Sequence, residues 1–170
     1  MSRLVVTPYS ALSEMLESHQ PSHLVSLLSP QQMESVADFT GEHLRLELDD
    51  VAEATPGRLA PSASQMQSLI IFARGWEARA PILLHCWAGV SRSMAAAMTI
   101  LCDRLGMDSE IKVARAMRRR APFARPNVLM VRHADDVLGR GGRLNAALNT
   151  MGNALPVAEG SATSFPLEKL

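Results

Sequence analysis

Hydrophobic and polar residues follow two different periods along this chain, one typical of strands and one typical of helices. Strand-like apolar runs occur at Leu4-Val5-Val6 and His23–Leu28, and the segment between them, from about Ser10, has helical spacing. His43–Leu48 alternates strictly, which places its three leucines on one face of a strand. The short apolar run Ile82–Leu84 predicts a buried strand of a mostly parallel sheet.

The longer segments have the helical period. Ser62 and Gln65 form a capping box, and the apolar spacing that follows predicts a helix to about Glu77. The segment from Ser91 or Ser93 to Leu105 is apolar almost all round, which predicts a buried central helix. The weaker patterns predict a helical turn within Gln31–Phe39, a helix from Asp108 or Ser109 to Arg118-Arg119-Arg120, a helix after Asn127, and a short helix over Leu144–Met151.

This order of strands and helices predicts one α/β domain with a central, mostly parallel sheet flanked by helices. A chain of 170 residues has the length of a single domain. We expect that domain to span residues 1–152. From about Gly152 the composition changes to Gly, Ala, Ser and Pro, which predicts a flexible C-terminal tail over residues 153–170.

Charge and composition narrow the possible partners and location. The 17 basic and 17 acidic residues leave no net charge, so neither nucleic acid nor membrane is expected as a partner. The apolar run at the start is too short for a signal peptide, and Met94–Cys102 is too short to span a bilayer. Two cysteines fit a reducing compartment better than a disulfide scaffold, and we therefore expect a cytoplasmic protein.

The stretch from His85 to Ser93 (His-Cys-Trp-Ala-Gly-Val-Ser-Arg-Ser) is the candidate site. It lies between a predicted strand and a predicted helix, where unpaired backbone N–H groups and the helix dipole together favour an anion. Gly89 allows the backbone to approach a ligand closely. The same surroundings favour the thiolate form of Cys86, which is a competent nucleophile. Arg92 offers a planar pair of donors to two phosphate oxygens, and the Ser93 hydroxyl can assist the departing sulfur.

The string His-Cys-x5-Arg-Ser resembles the signature of the cysteine-dependent protein tyrosine phosphatases, most closely their small dual-specificity-like branch. The resemblance implies a phosphotyrosine protein phosphatase II-like fold and a cysteinyl-phosphate intermediate, and we expect no cofactor. We also expect no metal, because no cysteine or carboxylate completes a set of ligands with His19 and His23. It also implies that phosphate or vanadate binds in the loop Trp87–Arg92 and that the substrate is a phosphorylated protein or peptide. His85 and Asn127 would then support the loop from behind, with Asn127 bracing it through hydrogen bonds. The alternative for Asn127 is an ordinary helix cap. The loop positions are Trp87, Ala88, Gly89, Val90, Ser91 and Arg92.

The same family uses a carboxylic acid, some thirty-odd residues before the cysteine, to protonate the leaving oxygen. Asp49 and Asp50 both follow the strand His43–Leu48, and Val51–Ala60 after them reads as a loop long enough to move. We favour Asp50, which opens the loop, over Asp49, which should point to the opposite side. An Asx turn or helix cap is the structural alternative for both.

Departures from the family pattern define the alternatives. No Trp-Pro-Asp triplet is present, which argues against the large tyrosine-specific branch, and Trp87 and Val90 replace the lysines of phosphoinositide phosphatases. We assign no catalytic role to Trp87 and expect its side chain to pack behind the loop. The Arg118-Arg119-Arg120 run is either charge compensation at a helix end or a basic rim for substrate. A phosphoprotein-binding module without turnover is the alternative to a phosphatase, with a sulfurtransferase or arsenate reductase as a more distant third.

Overall fold

In the computed structural model, residues 3–33 and 39–170 are described. A helical turn occurs at Pro30–Gln32, and the rest of the turn predicted over residues 31–39 lies mostly outside the described residues. The strands are β1 (Arg3–Pro8), β2 (His23–Leu28), β3 (Glu42–Glu47), β4 (Ile82–Cys86) and β5 (Thr163–Pro166). The helices are α1 (Leu12–His19), α2 (Ala63–Gly75), α3 (Arg92–Leu105), α4 (Glu110–Arg120), α5 (Val128–Val137) and α6 (Arg143–Asn149).

The five strands form one sheet in the order β3-β2-β4-β1-β5. The first four are parallel to one another, and β5 pairs antiparallel with β1 at one edge. The predicted fold class, a single α/β domain with a central and mostly parallel sheet, is confirmed. All five residues of β4 are buried, which agrees with the short apolar run that predicted it.

Helices cover both faces of the sheet, but unequally. The larger hydrophobic core lies between the sheet and helices α2–α6, with the apolar helix α3 buried at its centre. On the other face α1 covers a small cluster, in which Leu12 packs with Val5, Leu24 and Leu83. The capping box at Ser62 begins α2 as predicted. Trp76 follows that helix and is buried, with its indole N–H donating to Ala80 O at 2.8 Å.

The C-terminal segment differs from the flexible tail predicted over residues 153–170. Its Thr163–Pro166 portion is the strand β5, and the side chain of Phe165 is completely buried in the main core. Ahead of that strand, Leu155 N donates to Pro122 O at 3.0 Å and Gly160 N to Ala88 O at 2.8 Å. The composition does not signal this contact, because it depends on the open sheet edge that β1 offers and on the buried ring of Phe165.

Because β1 to β4 are parallel, the segments that follow them all lie at the carboxyl ends of the strands. β1 leads into Tyr9, β2 into Ser29, β3 into Leu48 and the two aspartates, and β4 into the loop after Cys86. The carboxyl ends of parallel strands are where α/β proteins place their ligands. Within the described residues, no helix is both long and apolar enough to cross a membrane.

Candidate active site

The loop between β4 and α3 turns its carbonyl groups outward. Four of its carbonyls accept hydrogen bonds from backbone N–H groups elsewhere in the chain. The pairs are Trp87 O with Tyr9 N (3.0 Å), Ala88 O with Gly160 N (2.8 Å), Val90 O with Arg125 N (2.9 Å) and Ser91 O with Asn127 N (3.3 Å). The amides of residues 88–91, in contrast, donate to no other group in the described part of the chain. Because the carbonyl groups point outward, these N–H groups face the interior of the loop at the N-terminus of α3. N–H groups arranged in this way bind anions.

Gly89 makes this tight loop possible. It has a φ of 69°, in the left-handed region that favours glycine. A Cβ at this position would lie 2.7 Å from the backbone nitrogen of Pro8 and 3.0 Å from the carbonyl carbon of Thr7. The loop therefore packs directly on the end of β1, and any side chain at residue 89 would push the two apart.

Cys86 lies at the base of the loop beside a hydroxyl group. Its Sγ is 3.1 Å from Ser93 Oγ, and both residues are buried. Cys102, on α3, is also buried and unpaired in a disulfide, but burial, with a smaller contribution from Glu110, raises its pKa to about 12. Cys102 is therefore a neutral core residue at physiological pH.

Arg92 begins α3 and has a buried guanidinium that is only partly satisfied by the protein. Its Nη1 donates to Leu48 O at 3.0 Å and approaches Ser29 Oγ at 3.4 Å. Its Nε is buried and has no hydrogen-bond partner within the described residues. A buried donor without a partner is costly, so an acceptor at this point would stabilise the arrangement. The guanidinium is thus anchored by one nitrogen, and Nε remains to bind an anion.

Asp50 lies against the loop between β4 and α3, where it links two other candidate residues. Its Oδ1 accepts from Ser91 Oγ at 2.7 Å and from Asn127 Nδ2 at 2.8 Å. The other oxygen, Oδ2, has no hydrogen bond within residues 3–33 and 39–170. One oxygen therefore orients the carboxyl group, and the other faces no donor from the described residues.

Asn127 combines the two roles considered for it. Its side-chain oxygen accepts from the amides of Leu129 (3.1 Å) and Met130 (3.0 Å), so it caps α5. Its side-chain Nδ2 donates to Asp50 and to Val51 O at 3.0 Å. Its backbone N–H donates to the carbonyl of Ser91 in the loop. Asn127 therefore connects the loop that carries Asp50 to the loop that follows Cys86.

Asp49 is bound in a different way from its neighbour. Its Oδ2 accepts from Leu59 N at 2.7 Å and pairs with Arg58 Nε at 3.2 Å, while Oδ1 accepts from Arg58 Nη2 at 3.3 Å. The hydroxyl of Ser29 first, then Leu59 and Arg58, lower the pKa of Asp49 to about 2. This carboxylate therefore remains ionised and closes the base of the loop over residues 50–58.

His85 belongs to a buried hydrogen-bonded chain behind the loop. Ser26 Oγ is 2.6 Å from His85 Nε2 and 2.8 Å from His43 Nε2, which connects strands β4, β2 and β3. Burial, with smaller effects from His43 and Arg92, lowers the pKa of His85 to about 4. Burial, followed by Arg45, lowers the pKa of His43 to about 4 as well. Both imidazoles are neutral at physiological pH and position the end of β4.

Trp87 lies at the surface, not behind the loop. Its side chain is 50% exposed and stacks on Tyr9, with ring centroids 5.5 Å apart and planes inclined by 9°. The Tyr9 ring also lies 5.8 Å from that of His85. The Tyr9 ring therefore contacts the rings of His85 and Trp87, the residues on either side of the candidate nucleophile Cys86. In the described residues, no group of three or more His, Cys, Asp or Glu side chains is placed to hold a metal ion.

Comparison with known proteins finds matches among solved structures. No protein-family model matches the sequence, and no curated protein matches it. The crystal structure of DUSP15 superposes with a TM-score of 0.63 at 17% identity, covering 90% of this chain and 94% of that chain. The Yvh1 phosphatase domain from Chaetomium thermophilum has a TM-score of 0.58 at 21% identity, covering 83% and 93%.

This chain has the dual-specificity phosphatase fold. A human tyrosine phosphatase-like serine/threonine/tyrosine-interacting protein shares the fold as well, with a TM-score of 0.63 at 18% identity over 78% of this chain and 89% of that chain. In this fold Cys86 is the last residue of β4, the central strand of the sheet.

Three residues at the site were not anticipated from the sequence. Tyr9 stacks on the loop, Ser29 contacts Arg92, and Ser26 connects two histidines. Ser29 comes immediately after the predicted strand His23–Leu28, and that position was a usable signal because the ends of parallel strands converge. Tyr9 immediately follows β1 only as the structure has it, since the predicted strand ended at Val6. Ser26 lies inside an apolar strand, and no local pattern distinguishes it.

Proposed function

We propose that this protein is a phosphatase that hydrolyses phosphotyrosine in proteins or peptides through a cysteinyl-phosphate intermediate, with phosphoserine and phosphothreonine as possible further substrates. The observation that carries the proposal is the 3.1 Å contact between Cys86 Sγ and Ser93 Oγ at the base of an amide-lined loop. Phosphate binding alone does not require a nucleophile with a hydroxyl group beside it. That pair suits a sulfur that first attacks and later departs.

The proposed reaction has two balanced steps. In the first, the Cys86 thiolate attacks phosphorus, the bond to the ester oxygen breaks, and Asp50 Oδ2 transfers its proton to that oxygen. In the second, water attacks the phosphocysteine, its proton goes to the Asp50 carboxylate, and the S–P bond breaks. Ser93 donates a hydrogen bond to the departing thiolate. Arg92 Nε and the loop amides bind the phosphoryl oxygens in both steps.

The residues around the loop favour a phosphoprotein over a phosphoinositide. PTPMT1, in complex with PI(5)P, shares the fold with a TM-score of 0.56 at 13% identity. A polyanionic head group would favour positively charged side chains in the loop. In the present chain two of these positions are occupied by the uncharged residues Trp87 and Val90. The stacked rings of Trp87 and Tyr9 instead suit the flat, apolar ring of phosphotyrosine. We expect the enzyme to act in the reducing cytoplasm, where its cysteines remain free.

A phosphoprotein-binding module remains the second candidate. One of the similar structures is that of a tyrosine phosphatase-like interacting protein, so the fold itself is compatible with binding. The two candidates differ in whether a phosphotyrosine peptide is consumed. A binder would retain the peptide without releasing phosphate.

The decisive experiment replaces the nucleophile. Cys86→Ser should abolish phosphate release from a phosphotyrosine peptide while the peptide still binds, because the serine hydroxyl does not ionise near neutral pH but Arg92 and the amides persist. Phosphate release and peptide binding are measured in parallel, with Cys102→Ala as the matched control. Residual activity of even a tenth of wild type in Cys86→Ser would refute the covalent mechanism. Binding without turnover by the wild-type protein would support the module instead.

A further inference from the structure

A second cleft opens beside the catalytic loop. Its volume is about 760 Å³, within the range of ligand-binding clefts. Asp50, Ala88 and Ser91 form its catalytic end, so it is continuous with the site described above. The loop before α5 forms one wall, and the C-terminal segment, including Asn153 and Val157, forms another.

The cleft carries positive charge away from its catalytic end. Its charged lining residues are Asp50, Arg118 and Arg125, and the aspartate lies at the junction with the catalytic loop. Arg125 is exposed, and its guanidinium has no hydrogen bond or ion pair within the described residues. Arg118 is bound only to main-chain carbonyls, among them Met151 O at 3.0 Å, and its charge has no carboxylate partner in the described chain. Two uncompensated guanidinium groups therefore line one cleft of a protein with no net charge.

The three arginines that end α4 thus have different environments. Arg118 lines the cleft and holds its C-terminal wall. Arg120 points to the strand β5, where it approaches Ser164 O and Lys169 O at 3.4 Å each. Arg119 is exposed, does not line the cleft, and makes no side-chain hydrogen bond within the described residues. Charge compensation at a helix end accounts for none of these differences, whereas a cationic cleft accounts for Arg118.

We propose that this cleft is a substrate subsite that binds acidic side chains near the phosphorylated residue of a polypeptide. The assignment rests on the proposed phosphatase function, because the cleft extends from the loop in which the phosphate would bind. Arg125 attracts the carboxylate, while exposed Val128 and Val157 offer apolar contact to the neighbouring part of the peptide. The enzyme should accordingly prefer phosphorylation sites in acidic sequence.

Two phosphotyrosine peptides that differ only in their flanking residues provide the test. One carries Asp and Glu on both sides of the phosphotyrosine, and the other carries Asn and Gln at the same positions. For each protein variant, the ratio of kcat/KM for the acidic peptide to that for the neutral peptide is measured. A general loss of activity cancels in this ratio. Wild-type protein should favour the acidic peptide by about three- to fivefold, the effect expected of a solvent-accessible ion pair, and less so as salt is raised.

The variants separate the subsite from general electrostatics. Arg125→Ala should bring the ratio close to one, and Arg125→Glu should reverse it. Arg119→Ala removes the same charge from the adjacent surface and should leave the wild-type ratio unchanged. Equal kcat/KM values for the two peptides with wild type, or equal effects of Arg119→Ala and Arg125→Ala, would overturn the subsite while leaving the phosphatase proposal intact. Failure of wild type to hydrolyse either peptide would instead overturn the phosphatase proposal.

Discussion

Asp49 and Asp50 are adjacent in sequence but have opposite surroundings. Asp49 is buried, accepts hydrogen bonds on both oxygens, and has a pKa lowered to about 2 by Ser29, Leu59 and Arg58. Asp50 is exposed and uses a single oxygen to contact Ser91 and Asn127. A carboxylate that is fully bound as an anion is a poor proton donor, whereas one oriented by a single oxygen suits that role. The surroundings therefore support the choice of Asp50 as the general acid.

Asp50→Ala should lower kcat on a phosphotyrosine peptide by roughly 10²–10⁴, because no group then protonates the departing oxygen. The deficit should shrink on an aryl phosphate whose phenolate is a good leaving group, since such a group departs without a proton. Steady-state kinetics on substrates of graded leaving-group pKa measure this difference.

Asp49→Ala is the matched control for that experiment. It should destabilise the loop over residues 50–58, and any loss of kcat should be the same for good and poor leaving groups. The assignment of the acid to Asp50 fails if the dependence on leaving group appears in Asp49→Ala, or if the Asp50→Ala deficit is equal across the series.

At the scale of elements, the C-terminal segment connects the site to the edge of the sheet. The backbone N–H of Gly160 donates to Ala88 O in the loop after β4, and Ser10 Oγ donates to Glu159 Oε1 at 2.6 Å. A side chain at residue 160 would overlap the ring of Phe123. The strand β5 that follows is fixed by its pairing with β1 and by the buried ring of Phe165. Docking of this strand therefore also holds one wall of the cleft in place.

Phe165→Ala should lower the free energy of unfolding by about 3–5 kcal/mol, the range observed for loss of a buried aromatic side chain. Denaturant unfolding of the full chain measures it. Leu155→Ala, in the same segment but 60% exposed, should change the stability by less than about 0.5 kcal/mol. A Phe165→Ala variant as stable as the Leu155→Ala variant would show that the segment behaves as the flexible tail that its composition predicted.

Local patterns were sufficient for most elements and for the centre of the site. The capping box at Ser62 predicts the start of α2, and the alternation of apolar and polar residues predicts β3, each from only a few residues. Cys86, Arg92 and Ser93 can also be placed together from the sequence, because a single loop and the first turn of the helix after it separate them. β5 was missed because four residues have too little pattern of their own, and their conformation depends on a partner strand at the other end of the chain.

At the scale of the whole molecule, the site is assembled from all four parallel strands. Ser29 contacts Arg92 from the end of β2, and Leu48 O does so from the end of β3. Tyr9 stacks on Trp87 from the end of β1. Such contacts join residues far apart in sequence, so the order of the strands in the sheet decides which of them meet. The motif predicts the chemistry, and the sheet determines how rigidly the groups are held.

The chain of His85, Ser26 and His43 crosses three of those strands and makes stability depend on pH. Both histidines have pKa values near 4 in the folded protein, below the ordinary value of 6.5. Between these values the unfolded chain binds protons that the folded chain does not. The free energy of unfolding should therefore be highest above pH 6.5 and should fall as the pH is lowered towards 4.

His43→Gln should make this decline shallower, because one of the two depressed pKa values is removed while an amide can still hydrogen-bond to Ser26. The more exposed His43 is the better choice, since His85 directly precedes Cys86 in β4. Urea unfolding at intervals between pH 7 and pH 4.5 gives the slope for each protein. His19→Gln, at the end of α1 and remote from Ser26, should retain the wild-type slope. If His43→Gln and wild type lose stability in parallel across this range, the buried histidine chain is not the source of the pH dependence.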